Sequence, residues 1–136
     1  MPSSKPLVLV VDDQPSYVQL VTRALEPAGY RIVAATSGAA ALEATASLAQ
    51  PLDLLLTDLQ MPEMSGRSLA RELRKTQGGL KVLYLTGHSE ALFDQAYTLE
   101  LNEAFIEKPI TGAALREAVA LHLFGTRRAP HESTDA

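Results

Sequence analysis

The sequence predicts an α/β domain, a doubly wound five-stranded parallel sheet with helices on both faces, arranged as a three-layer (βα)5 sandwich. Three observations predict it. Short apolar runs recur about every 25 residues, and each is followed by a segment of helical period, the alternation expected of parallel βα units. The 136 residues are enough for one core and one domain. The runs also differ in polarity: three are nearly continuous in aliphatics and two are broken by charge.

The predicted strands are Leu7 to Val11, Arg31 to Thr36, Leu52 to Thr57, Lys81 to Thr86 and Ala104 to Glu107. The first, third and fourth are almost wholly apolar, as central strands covered on both faces must be. Arg31 and Glu107 mark the second and fifth as edges. That contrast gives the flavodoxin-like strand order 2-1-3-4-5.

Helix starts are marked by Pro15 in a first turn and by Ser37, Ser65, Ser89 and Thr111 as N-caps. Gly29 is a C-cap candidate for the first helix. Val18, Val21 and Leu25 form a stripe at helical spacing there, and Leu115, Val119 and His122 form a less regular one in the last helix. The helix after Ser89 carries apolar residues over a wide arc: Leu92, Ala96 and Leu99, then Phe93, Tyr97 and Leu101. Such an arc suits either packing on neighbouring helices or a partner surface. The expected organisation is a flexible tail over residues 1–6, a folded domain over 7–124 and a flexible, polar tail over 125–136.

Composition removes several function classes. No apolar run approaches the ~20 residues needed to cross a bilayer, and the N-terminal MPSSKP lacks a secretory core. A cytoplasmic protein with no membrane contact is the expectation. The absence of cysteine excludes disulfides and thiolate metal sites. A formal net charge of −4 argues against direct nucleic-acid binding. His88, His122 and His131 fall on different elements without ligand spacing.

Ligand sites in open α/β sheets form beyond the carboxyl ends of the strands, near the place where strand order reverses. Asp12 and Asp13 follow the first strand, Asp58 the third, Thr86 ends the fourth, and Lys108-Pro109 follows the fifth. Taken singly, each has an ordinary explanation: an acid pair caps a helix, a Thr ends a strand, a Lys lies in solvent. Together at one sheet edge they make a different site. Three crowded carboxylates repel unless a cation compensates, and hard oxygen ligands suit Mg2+. A metal, a Lys and a hydroxyl aimed at one carboxylate are the groups that stabilise a transferring phosphoryl group.

This set, with DLQMPEMSG running on from Asp58 after the third strand, resembles the receiver domain of two-component response regulators, the CheY-like family, over about residues 6 to 124. The resemblance implies that Asp58 is the phosphoacceptor, taking its phosphoryl group from a histidine kinase or a histidine phosphotransfer protein. It implies that Asp13 and Asp58 bind Mg2+ directly with the main-chain carbonyl of Gln60, and that Asp12 acts through a metal-bound water. Lys108 would pair with the acceptor and then with phosphoryl oxygens. Thr86 and Phe105 would form the switch, and Gln60 and His88 would set phosphoryl lifetime. Partner binding would change on the face built from the helix after Ser89, the fifth strand and the last helix, with a homodimer as one form of output.

Two departures from the family pattern stand out. Leu101-Asn102 replaces a common Gly-Ala before the fifth strand, and since Asn tolerates left-handed backbone better than Leu, the turn is expected to be shifted by a residue. Phe105 lacks the hydroxyl of the common Tyr. The expected protein is a phosphoacceptor signalling domain that forms and loses its own acyl phosphate, not an enzyme for external substrates. Its rivals are a pseudo-receiver that binds proteins without phosphoryl turnover, disfavoured because no acid or Lys of the set is lost, and a Mg2+-dependent phosphohydrolase, disfavoured because no cap or insertion is visible.

Overall fold

Five parallel strands form one sheet in the order β2-β1-β3-β4-β5, in a computed structural model that describes residues 5–87 and 102–125. The strands are β1 (Leu7–Val11), β2 (Arg31–Ala35), β3 (Leu54–Asp58), β4 (Lys81–Thr86) and β5 (Glu103–Glu107); the helices are α1 (Pro15–Leu25), α2 (Gly38–Ala46), α3 (Gly66–Arg74) and α4 (Gly112–Phe124). The order and direction match the sequence expectation. Residues 1–4, the helix expected after Ser89 with its apolar arc, His88, and the tail from 126 onward lie outside the described residues.

Polarity separates centre from edge for a physical reason. Every residue of β1 and β3 is buried, because a central parallel strand has helices over both faces. β2 is exposed at Arg31 and Ala34, half-buried at Ile32 and Val33, and buried only at Ala35. Alternate side chains feed two cores. Leu7, Leu9, Leu55, Val82 and Tyr84 pack with Leu69 and Leu73 of α3; Val8, Val10, Leu54, Leu56 and Leu83 pack with Val21 and Leu25 of α1 and Leu115 and Val119 of α4. Each fully buried aliphatic contributes roughly 1.5–3 kcal/mol of transfer free energy.

Helix ends follow the expected chemistry. Ser37, Ser65 and Thr111 accept hydrogen bonds from the amides of Ala40, Ser68 and Ala114, and Pro15 opens α1. The buried face of α1 is Val21, Ala24 and Leu25, with Val18 only half-buried. Gly29 does not cap α1. Glu26 does, and Gly29 takes φ 103° in the turn that follows, where only a residue without Cβ is relaxed.

Strand limits move by one or two residues from the expected ones. β2 stops at Ala35 rather than Thr36. β3 starts at Leu54 rather than Leu52, because the Asp53 carboxylate accepts from the Leu7 amide while the Asp53 amide bonds the Leu7 carbonyl. β5 begins at Glu103, immediately after Asn102 with φ 69°, so the left-handed residue is the Asn, as its side chain favours.

Candidate functional site

The sheet register places the site. Val11 pairs with Thr57, Asp58 with Leu85, and Thr86 with Glu107, so the residues that follow β1, end β3 and β4 and follow β5 emerge along one edge. Asp12, Asp13 and Asp58 each bring a carboxylate oxygen within 4.8 Å of the others. Asp12 and Asp58 are buried and Asp13 is exposed. Asp58 belongs to β3 itself, one residue beyond the expected strand end.

The loop after Asp58 is shaped to bring backbone against it. The Gln60 amide donates to Asp58 Oδ1 at 3.4 Å, and the Gly66 amide donates to the Leu59 carbonyl at 2.9 Å. A Cβ on Gly66 would lie 2.3 Å from the Asp58 carbonyl oxygen. Close approach therefore explains this glycine. The left-handed backbone in the loop belongs instead to Glu63, with φ 70°.

Lys108 is the cation of the cluster. Its Nζ lies 2.8 Å from Asp12 Oδ2 and 3.7 Å from Asp58 Oδ2. The expected pairing with Asp58 is present, but the shorter contact is to Asp12, the more buried of the two carboxylates. The Lys108-Pro109 peptide bond is cis, and the Lys108 amide donates to the Thr86 carbonyl at 2.7 Å. Thr86 is buried at the end of β4. Phe105 is half-buried against the core that contains Tyr84 and Val82.

Tyr17 also belongs to this site, and the sequence reading did not include it. Lys108 Nζ sits 4.0 Å from the centroid of its ring. The available signal was an aromatic in the first helical turn after an acid pair, a weak one because its partner is 91 residues away in the chain.

Burial raises the Asp58 carboxyl from 3.8 to about 6, against the lowering effect of Lys108 and the Gln60 amide, with the charges of Asp12 and Asp13 pushing it further up. Three carboxylates against one ammonium leave an excess of negative charge in a partly desolvated space. The donor set is all oxygen and converges from two strand ends. Such a set fits a hard divalent cation that takes one or two carboxylates and keeps water.

Comparison with known proteins agrees with this architecture. Residues 8–120 match the response regulator receiver domain family. The chain is 35% identical over 109 residues to the sensor kinase CckA of Brucella abortus, covering 80% of this chain and 12% of that protein. It is 31% identical over 102 residues to the response regulator receiver protein CpdR of the same organism, covering 75% and 83%. A crystal structure of a response regulator receiver protein from Sinorhizobium medicae superposes with a TM-score of 0.76 at 28% identity, covering 91% and 98%. The chain spans only 12% to 27% of the length of six curated relatives, sensor kinases and regulators among them. This chain belongs to the response regulator receiver domain family of two-component signalling. No described helix is long and apolar enough to cross a membrane.

Proposed function

We propose that the protein accepts a phosphoryl group on Asp58 from a phosphohistidine and uses the acyl phosphate to change its binding to a partner protein. The observation that carries this reading is the convergence of Asp12, Asp13 and Asp58 with Lys108 at the sheet edge. An Asp58 oxygen attacks phosphorus, the phosphorus–nitrogen bond of phosphohistidine breaks, and the imidazole leaves with the electron pair and takes up a proton from solvent. Asp58 is largely ionised at neutral pH with a pKa of about 6, which keeps it nucleophilic. Loss of the group is the attack of water on phosphorus, which returns the carboxylate.

Asp12, Asp13, Asp58 and the Gln60 carbonyl would hold Mg2+, which when bound supplies positive charge beside the transferring oxygens. Lys108 supplies a second positive charge and moves from carboxylate to phosphoryl oxygen. Thr86 donates its hydroxyl to the phosphoryl group, Phe105 reports the change by repacking, and Gln60 and His88 govern the approach of water. The phosphodonor is a histidine kinase or a histidine phosphotransfer protein, consistent with relatives that are sensor kinases. Output uses β5 and α4. An apolar groove of about 310 Å3 lies there, lined by Leu83, Ala104, Phe105, Ile106, Leu121 and His122, and Leu121 is 45% exposed.

Incubation with acetyl phosphate and Mg2+, followed by intact-mass measurement, tests the reading. Wild type should gain one phosphoryl group and Asp58→Asn should gain none. Uptake that survives Asp58→Asn, or a wild type that takes up nothing from acetyl phosphate or from a cognate kinase, overturns it.

A further inference from the structure

The ammonium of Lys108 has three hydrogens, and the structure gives it three neighbours: Asp12 at 2.8 Å, Asp58 at 3.7 Å and the face of the Tyr17 ring, 4.0 Å to its centroid. The first two are carboxylates at the heart of the site. The third comes from the first turn of α1, where Pro15 starts the helix and the Tyr17 amide bonds the Gln14 carbonyl at 3.0 Å. Tyr17 is half-buried and Lys108 has only 12% of its side chain exposed, so the ring meets a cation that is mostly withdrawn from water, the setting in which a cation–π contact is strongest.

The type of neighbour matters as much as its presence. A carboxylate in the place of Tyr17 would hold the ammonium against it and add a further negative charge to the site. A ring face attracts the cation without neutralising it, and the attraction is to the whole face rather than along one hydrogen bond. Lysine is a point charge on a flexible four-carbon stem whose freedom is expensive to restrict. A soft contact near the end of that stem confines it while leaving a short path from one oxygen to the next.

We propose that Tyr17 is a positioning residue for Lys108, holding the ammonium over its ring so that it can pass from Asp12 to the oxygens carried by Asp58. The proposal rests on the receiver reading for its consequence in rate, but not for the contact itself. It assigns to α1 a part in the chemistry at the end of β5, two elements separated in the chain by most of the domain.

Two measurements on the full chain test it. Carbon and proton NMR of the Lys108 side chain, assigned by the signal lost in Lys108→Arg, should show ring-current shifts upfield of Lys5, Lys75 and Lys81. Those shifts should persist in Tyr17→Phe and vanish in Tyr17→Leu and Tyr17→Met, which keep apolar bulk without a ring face. Phosphoryl uptake from acetyl phosphate at saturating Mg2+ should be within about twofold of wild type in Tyr17→Phe and slower by about fivefold in Tyr17→Leu and Tyr17→Met, the size expected for losing one partly desolvated cation–π contact. Circular dichroism melts identify a variant that fails to fold, and Tyr17→Met then replaces Tyr17→Leu. An unshifted Lys108 in wild type, or equal uptake in all four proteins, overturns the proposal. Should wild type take up no phosphoryl group, the receiver reading fails by itself, and the NMR shifts still decide whether Tyr17 holds Lys108.

Discussion

Two groups of buried charge lie at β5, one near each end of the strand, and they are built on opposite principles. Near its start, Arg74 Nη1 meets Glu103 Oε2 at 2.9 Å, Arg74 also donates through Nε and Nη2 to the Leu80 carbonyl, and the Tyr84 hydroxyl donates to the same Glu103 oxygen at 3.0 Å. Charges of opposite sign meet directly, hydrogen bonds to Leu80 and Tyr84 extend the pair, and the positive charges of Arg67 and Arg74 both reach Tyr84. Beyond its end, Lys108 faces three carboxylates. The balanced group ties α3 to the sheet. The unbalanced group is held by the same fold at an electrostatic cost, an arrangement that burial and like charge also produce in functional sites.

The pKa shifts express the same contrast. Burial pushes the Tyr84 hydroxyl far up, reinforced by the charge of Glu103 and the hydrogen bond to it, so the phenol stays a donor. At Asp58 the same desolvation raises the carboxyl to about 6, so there the charged form is disfavoured.

The contrast can be broken most forcefully at the balanced end. Glu103→Ala removes an ionic partner of Arg74 whose side chain is only 4% exposed; removal of one partner from such a pair costs about 3 kcal/mol or more. Urea unfolding should show that loss, and the double variant Arg74→Met with Glu103→Leu should recover most of it. If Glu103→Ala unfolds at the wild-type midpoint, the pair does not tie α3 to the sheet.

At the unbalanced end the sign reverses. Because the folded-state pKa of Asp58 lies above its unfolded value, the folded protein holds a proton between about pH 4 and pH 6 that the unfolded chain releases. The stabilising contribution of that proton is full below pH 4 and lost as pH rises through 6, a fall of about 2–3 kcal/mol. Asp58→Asn should therefore unfold at higher urea than metal-free wild type at pH 7, with the gap closing toward pH 4, and added Mg2+ should stabilise wild type more than the variant. A variant less stable than wild type at pH 7 would contradict this origin of the shift. The smallest effect is expected for Tyr84→Phe, which removes one hydrogen bond to a charged oxygen and should cost about 1 to 2 kcal/mol. A neutral result would show that the Tyr84 hydroxyl adds nothing to the hold on Glu103.

The difference between the two groups also marks the limit of what could be read in the chain. Asp12, Asp13, Asp58, Thr86 and Lys108 were legible because each directly ends or follows an apolar run, and the topology rule for parallel sheets then gathers them. Glu103 and Arg74 were not. Both look like solvated charges, one in a turn and one at the end of a polar helix, and only the fold brings the end of α3 within side-chain reach of the start of β5. Tyr17 was missed for the same reason, and so was the preference of Lys108 for Asp12 over Asp58, a difference of 0.9 Å that no pattern of residue types encodes. The Asn102 turn was legible because a left-handed residue has a local chemical preference.

β3 is hydrogen-bonded to β1 on one side and β4 on the other, and the Leu59 amide extends the pairing past Asp58 to the Leu85 carbonyl at 2.9 Å. Amides in such a strand exchange with solvent chiefly when the whole domain opens. The backbone that carries Asp58 is thus expected among the slowest parts of the described fold to exchange, on a timescale set by global unfolding. Under the proposed function, a phosphoryl group on Asp58 would stay fixed relative to the sheet, and deuterium uptake that responds to it should appear outside β3, in segments whose protection is far below that of the strand.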